Sequence, residues 1–192
     1  MSQYLYLLFF FVSSITTGFG QSSNDTTLLS LEELSKIKPY TDLEKALKES
    51  ENVIVLDLSG KSWESLPESI GAFPNLQMLK LGFGIKPSTP RHIIRKSKHI
   101  GGGILHLDRG TGKYVVYNQI AVLPDTMRNL KKLQYLDLNN NAFTDVPMIL
   151  KEMKNLKYIN FYGCYELMDN KEQVEELKSA LGSNCIIYIT LN

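Results

Sequence analysis

Few of the features that announce a particular chemistry are present in this chain. Its 21 basic and 20 acidic residues leave a formal charge of +1, which gives no global reason to expect a nucleic-acid partner. No Ser stands in a Gly-x-Ser-x-Gly setting, and no motif joins a nucleophile to a base and an orienting group, so an enzyme is not expected. The three histidines, His92, His99 and His106, are seven apart, yet no Cys or carboxylate completes a metal-ligand set. Gly101 to Gly103 would also break any helix that joined them, and no metal or other cofactor is expected. Gly110-Thr-Gly-Lys113 looks like the tail of a phosphate loop, but Leu107 stands where that loop requires glycine. Tyr114 replaces the Ser or Thr that would hold magnesium, so the segment reads as a turn. With only two cysteines, Cys164 and Cys185, one bridge at most is available. Either they form a disulfide that ties the end of the chain, or both are small buried apolar residues.

Long apolar runs are missing as well. The longest opening run, Tyr4 to Val12, is too short to span a bilayer. It is followed by Ser13, Ser14, Thr16 and Thr17 and by the small-x-small Gly18-Phe19-Gly20, the layout of a secretory signal over residues 1–20, although no Lys or Arg precedes it. An uncleaved anchor is the alternative. With cleavage the mature chain begins at Gln21, has no transmembrane span, and lies in a secreted, periplasmic or cell-surface space. No cysteine follows the run, so a lipidated start is not offered.

What the chain does have is a ladder. Val53-x-x-Leu56-x-Leu58, Leu76-x-x-Leu79-x-Leu81, Leu133-x-x-Leu136-x-Leu138 and Leu156-x-x-Ile159-x-Phe161 share one pattern, and the first pair and the last pair are each 23 residues apart. Counted from the first apolar residue, positions 1, 4 and 6 point inward from a short parallel strand. Position 9 holds Asn141 or Cys164, suited to bonding backbone at a turn. Trp63, Leu66, Ile70 and Phe73, and later Phe143, Val146, Leu150 and Met153, return apolar groups to the core. Pro67, Pro124 and Pro147 open each returning segment with a fixed φ. Asn118-x-Ile120-x-x-Leu123-Pro124-x-x-Met127-x-x-Leu130 reads as the second part of a further, degenerate repeat that begins at Gly110, with a strand over 112–116.

Such a stack needs lids, because an open end exposes core and unpaired strand groups. Thr41 and Glu44 resemble a capping box opening a short helix over 40–48, and Leu43, Ala46 and Leu47 give it an apolar side. At the other end, 172–181 keeps Val174, Leu177, Ala180 and Leu181 on one face before Gly182, and a last strand follows with Ile187 and Ile189 inward. Residues 21–39 read as a flexible leader, and 40–192 as one domain interrupted by an insertion at about 82–109. The first half of that insertion is basic (Lys86, Arg91, Arg95, Lys96, Lys98) without an acid and reads as a solvated loop. The second half reads as a hairpin turning at Arg109 to Gly112.

These residues resemble the leucine-rich repeat superfamily, in the 23-residue class whose repeats end Leu-Pro-x-x-Ile-x-x-Leu. That type occurs in Ras-binding and plant disease-resistance-like proteins. The match lies in Leu66-Pro67-Glu-Ser-Ile70-Gly-Ala-Phe73 and Leu123-Pro124-Asp-Thr-Met127-Arg-Asn-Leu130, and it covers 53–81 and 118–164. The opening Tyr40-x-x-Leu43-Glu44-x-Ala46-Leu47 and the closing Leu177-x-x-Ala180-Leu181-x-x-Asn184-Cys185 are similar to those of short exported bacterial repeat proteins. The resemblance implies an α/β solenoid: a short arc with a parallel sheet on its concave side and helical caps. It also implies a non-catalytic scaffold that recognises a protein or peptide.

The concave wall then carries Met78, Tyr135 and Tyr158 at position 3, and Lys80, Tyr114, Asp137 and Asn160 at position 5. Phe83, Tyr117 and Tyr162 follow beside the turns. Exposed aromatic rings among a few polar groups suit a protein interface. Tyrosine rows would equally stack on sugar rings, so carbohydrate is an alternative ligand. A structural, envelope-associated role for the basic insertion is another.

Overall fold

A computed structural model describes residues 27–86, 105–108 and 113–189. The signal-like segment 1–20, the basic run through Lys98 with His92 and His99, and the turn at 109–112 lie outside the described residues.

The ladder folds into one parallel sheet. Strands β1 (Val55–Asp57) and β2 (Met78–Lys80) are followed in sequence by β3 (Gly84–Lys86), β4 (Leu105–Asp108) and β5 (Lys113–Val116). Then come β6 (Tyr135–Asp137), β7 (Tyr158–Asn160) and β8 (Ile186–Tyr188). Neighbours in the parallel sheet run β1-β2-β6-β7-β8. Its register aligns Leu56, Leu79, Leu136, Ile159 and Ile187 in one inward row. The first four are 0% exposed, and Ile187 and Ile189 pack against the same core. The 3-10 segment behind β7, Tyr165–Asp169, starts at Cys164 without a proline, whereas behind β1, β2 and β6 a proline with φ near −70° or −60° leads into one: Glu68–Ala72, Asp125–Asn129 and Met148–Glu152. These segments carry Ile70, Met127 and Leu150, each 0% exposed, back into the core. Glycine at position 71 is demanded by a close approach, since a Cβ there would collide with the backbone of Thr126 in the next segment.

The insertion departs from the expected layout. Met78 pairs directly with Tyr135, so no strand stands between β2 and β6. Lys113–Val116 instead pairs antiparallel with both Gly84–Lys86 and Leu105–Asp108, building a separate three-stranded sheet. The antiparallel pairing expected of a hairpin is present between Leu105–Asp108 and Lys113–Val116, while the strand of a separate repeat beginning at Gly110 does not join the parallel sheet. Leu76 and Leu133 are 57 positions apart, which is one 23-residue period and 34 residues more. Those extra residues leave one repeat after Phe83 and re-enter it at Asn118. The amide of Asn118 proves the splice: its Nδ2 donates to Leu58 O at 3.0 Å and to Leu81 O at 2.8 Å, and its Oδ1 accepts from the backbone of Lys61 and Trp63. Asn141, one repeat on, bonds Leu81 O and Leu138 O in the same way, at 3.0 Å each. Asn118 therefore belongs to the repeat of Leu81.

Both ends are capped. Helix α2 (Leu43–Leu47) sets Ala46 into the core, but its N-cap is Asp42, whose carboxylate accepts from Lys45 N–H, and not Thr41. Tyr40 bridges the outer edge of β1. Helix α3 (Lys171–Leu181) buries Val174 and Leu177 and stops at Gly182, whose φ is 76°.

The largest revision concerns the leader. Residues 31–36 form helix α1 (Leu31–Lys36), started by a reciprocal capping box between Ser30 and Glu33, and Leu34 is 1% exposed. The segment 27–37 is packed structure. The sequence cue is Ser30-x-x-Glu33 ahead of Leu34 and Ile37, the same motif that recurs eleven residues later as Thr41-x-x-Glu44.

Candidate concave binding face

Position 3 of the sheet carries Val55, Met78, Tyr135, Tyr158 and Ile186 in register. Its two ends meet different surroundings. Val55 is 2% and Met78 6% exposed, because Leu34 of α1 lies on them with Leu29, Ile37, Ile54 and Tyr135 around it. Met78 therefore belongs to a small second core and is not a free contact residue. Two position-2 glutamines, each fully buried, hold the covering segment. Gln77 Oε1 accepts from Leu29 N–H at 2.7 Å, and Gln77 Nε2 donates to Thr27 O at 3.0 Å. Gln134 Nε2 donates to Leu29 O at 3.0 Å and to Gln77 Oε1 at 2.9 Å.

Beyond Tyr135 no described residue covers the wall. Ile186, Tyr188 and Tyr162 are exposed, and the Tyr162 and Tyr188 rings stack with centroids 6.0 Å apart and planes 19° from parallel. Tyr158 beside them is half-buried. Burial first, then the charge of Asp137 and the neighbouring Tyr188, push its hydroxyl pKa above the usual value, so it stays a neutral hydrogen-bond donor. Tyr188 and Ile186 were not singled out from the sequence, although the inward placing of Ile187 and Ile189 implied that they point the other way.

The position-5 row does double duty. Asp57 Oδ1 accepts from Ser59 N–H, Asp137 Oδ1 from Asn139 N–H, and Asn160 Oδ1 from Tyr162 N–H, at 2.9 to 3.1 Å. Each side chain thus closes the turn two residues on, a local bond that Asp and Asn are built to make. Lys80 is half-buried in the same row. Tyr114 is not in it: the residue sits on β5 opposite Lys86 and Leu107, because the insertion keeps its strand for itself. Phe83 and Tyr117 flank the departure and return of the insertion, and their rings face each other across that neck at 6.4 Å and 51°. Burial and the neighbouring Tyr165 raise the Tyr117 hydroxyl pKa. A cleft of about 400 Å³ opens beside the neck between Tyr117, Asn140, Gly163 and the exposed Tyr165.

Cys164 and Cys185 are free and buried, so of the two alternatives the bridge is not formed. Cys164 Sγ donates to Leu138 O at 3.3 Å, the bond its position-9 counterparts make with their amides. Burial pushes both thiols up to about 11. Among the described residues no three His, Cys, Asp or Glu side chains gather as metal ligands, and no helix is long and apolar enough to cross a membrane.

Four strands at the leucine spacing, a position-9 ladder between them and a 3-10 return behind each give this chain a leucine-rich repeat fold, a short open arc. No protein-family model matches it. It is 38% identical over 78 residues to a probable disease resistance RPP8-like protein 4 of Arabidopsis thaliana, a match covering 38% of this chain and 8% of the plant protein. A solved leucine-rich repeat protein of Leptospira interrogans is 29% identical, with 65% of this chain and 35% of that chain covered and a TM-score of 0.27. The chain spans well under two thirds of the length of each.

Proposed function

We propose that the protein is a non-catalytic recognition module that binds a partner protein or peptide through the concave face of its sheet. The contact patch is the open half around Tyr158, Asn160, Tyr162, Ile186 and Tyr188. The observation that supports this most directly is the uneven burial of the wall. Apolar groups at its front are covered by the chain's own residues, while Ile186 at 65% and the stacked Tyr162 and Tyr188 at 44% and 49% stay exposed at its back. Clustered exposed aromatic rings of this kind supply the desolvated centre of an interface, with Asp137 and Asn160 as polar specificity groups. The signal-like segment 1–20 supports a secreted, periplasmic or cell-surface setting for that partner.

The test compares affinity capture by the full chain with capture by its Tyr158→Ala/Tyr162→Ala/Tyr188→Ala variant, using Met148→Ala as a control, since Met148 is exposed on the far side of the arc. Partners retained by the control and lost by the triple variant support the concave reading; equal capture by all three proteins removes it. Intact mass of the exported product, expected to begin at Gln21, checks the setting.

A further inference from the structure

The concave face already holds a peptide, and that peptide is the chain's own. Residues 27–30 cross the position-2 glutamines outside any regular element, and every bond Gln77 and Gln134 make to them is to backbone: Thr27 O, Leu29 N–H and Leu29 O. Main-chain groups are common to all peptides, so this recognition is not tied to the sequence of the segment that now uses it. The glutamines also brace each other through the 2.9 Å bond between their amides, which fixes both in a receiving orientation. A second observation is independent of those bonds. Gln134 is fully buried, yet its Oε1 has no hydrogen-bond partner among the described residues. Buried acceptors are nearly always satisfied, and residues 27–37 leave this one over. After the crossing, the Ser30–Glu33 capping box turns the chain into α1 and lowers Leu34 onto Val55 and Met78.

We propose that Gln77 and Gln134 form a binding site for extended peptide backbone, that residues 27–37 fill it in cis as a built-in competitor, and that a partner peptide enters by displacing them. The ligand this site takes is a short extended stretch offering a C=O, an N–H and a C=O to the two amides, followed by a leucine-like side chain for the Val55–Met78 seat. A ligand N–H that reaches Gln134 Oε1 would give it an advantage the resident segment lacks. The inference rests on the reading of the concave face as a peptide-binding surface and adds that its front half is gated. A tethered competitor acts at an effective concentration of order millimolar, so the closed population lowers apparent affinity by the fraction of open protein.

The experiment titrates a fluorescent peptide matching residues 27–37 into the full chain and into its Leu34→Asp variant, read by anisotropy. A carboxylate is not accommodated between Val55 and Met78, so the variant releases the resident segment. Expected is binding at least tenfold tighter to Leu34→Asp than to the unsubstituted chain, with the gain abolished when Gln77→Ala is added. Equal binding by the two folded proteins overturns the proposal. A second readout does not depend on the variant: in the isotope-labelled unsubstituted chain, excess unlabelled peptide should move the Leu29 amide resonance to its unbound position. A resonance that stays put overturns the proposal too. If instead the aromatic triple variant loses its partners while this peptide binds nowhere, the concave reading stands and the gate falls.

Discussion

Val55 and Ile186 occupy the same register position at opposite ends of one sheet, and their surroundings share nothing. Val55 is sealed under Leu34 at 2% exposure, while Ile186 stands 65% exposed beside a pair of stacked tyrosines. The strand geometry treats them alike; the difference lies in what the chain lays over the sheet. At the front, 27–37 lays Leu29, Leu34, Ile37 and its backbone on the wall, with two glutamines dedicated to holding it. At the back no described residue does this. An exposed column in a repeat protein is therefore not a binding surface merely because the repeat turns it outward.

The two halves stand on one core, and the strongest way to break the comparison is to strike that core. Leu79→Ala, 0% exposed between β1 and β6, should cost about 3–5 kcal/mol. Urea unfolding should remain a single transition for both halves; separate transitions would make them independent units. Asn118→Ala should follow at about 3 kcal/mol, because it strands the Leu58 carbonyl and the N–H groups of Lys61 and Trp63 at once, while Leu81 O keeps its bond from Asn141. A loss below about 1 kcal/mol would mean that the splice of the insertion does not rest on this amide. Leu34→Ala should cost about 2 kcal/mol and raise hydrogen exchange in α1, and unchanged exchange would deny that the seat on Val55 and Met78 holds the segment.

Raising the pH gives a smaller effect that concentrates at the back. Burial lifts the Cys164 and Cys185 thiols from 9.0 to about 11, so the folded state keeps protons that the unfolded state releases. Their contribution is intact below about pH 9 and is lost as pH rises toward 11. Denaturation midpoints across that window should fall, and substituting both cysteines with Ala should flatten the slope. Smallest of all, Tyr162→Ala should change stability by only about 1 kcal/mol while abolishing partner capture. A large stability loss would move Tyr162 from the interface to the scaffold.

Much of this molecule could be read from its residues. The spacing of Leu56, Leu79, Leu136 and Ile159 yields the inward row, the prolines mark the return segments, and the caps at both ends follow from short apolar faces. The site was half legible. Tyr158, Asn160 and Tyr162 fall where the period places them, whereas Tyr114 was misplaced because an insertion inside one repeat looks, residue by residue, like a new repeat. Asn118 gave the clue in its type but not in its partners: whether it served Gly110 or Leu81 depends on a bond to Leu58 O, 60 positions away.

The chain by itself determined the solenoid, because a 23-residue apolar period can bury its leucines only by stacking like units. The tertiary structure alone decided which part of the wall is open. That outcome depends on Leu34 reaching Val55 and Met78, and on Gln77 and Gln134 reaching the backbone of 27–29, contacts between segments about 20 to 105 residues apart that no local pattern encodes.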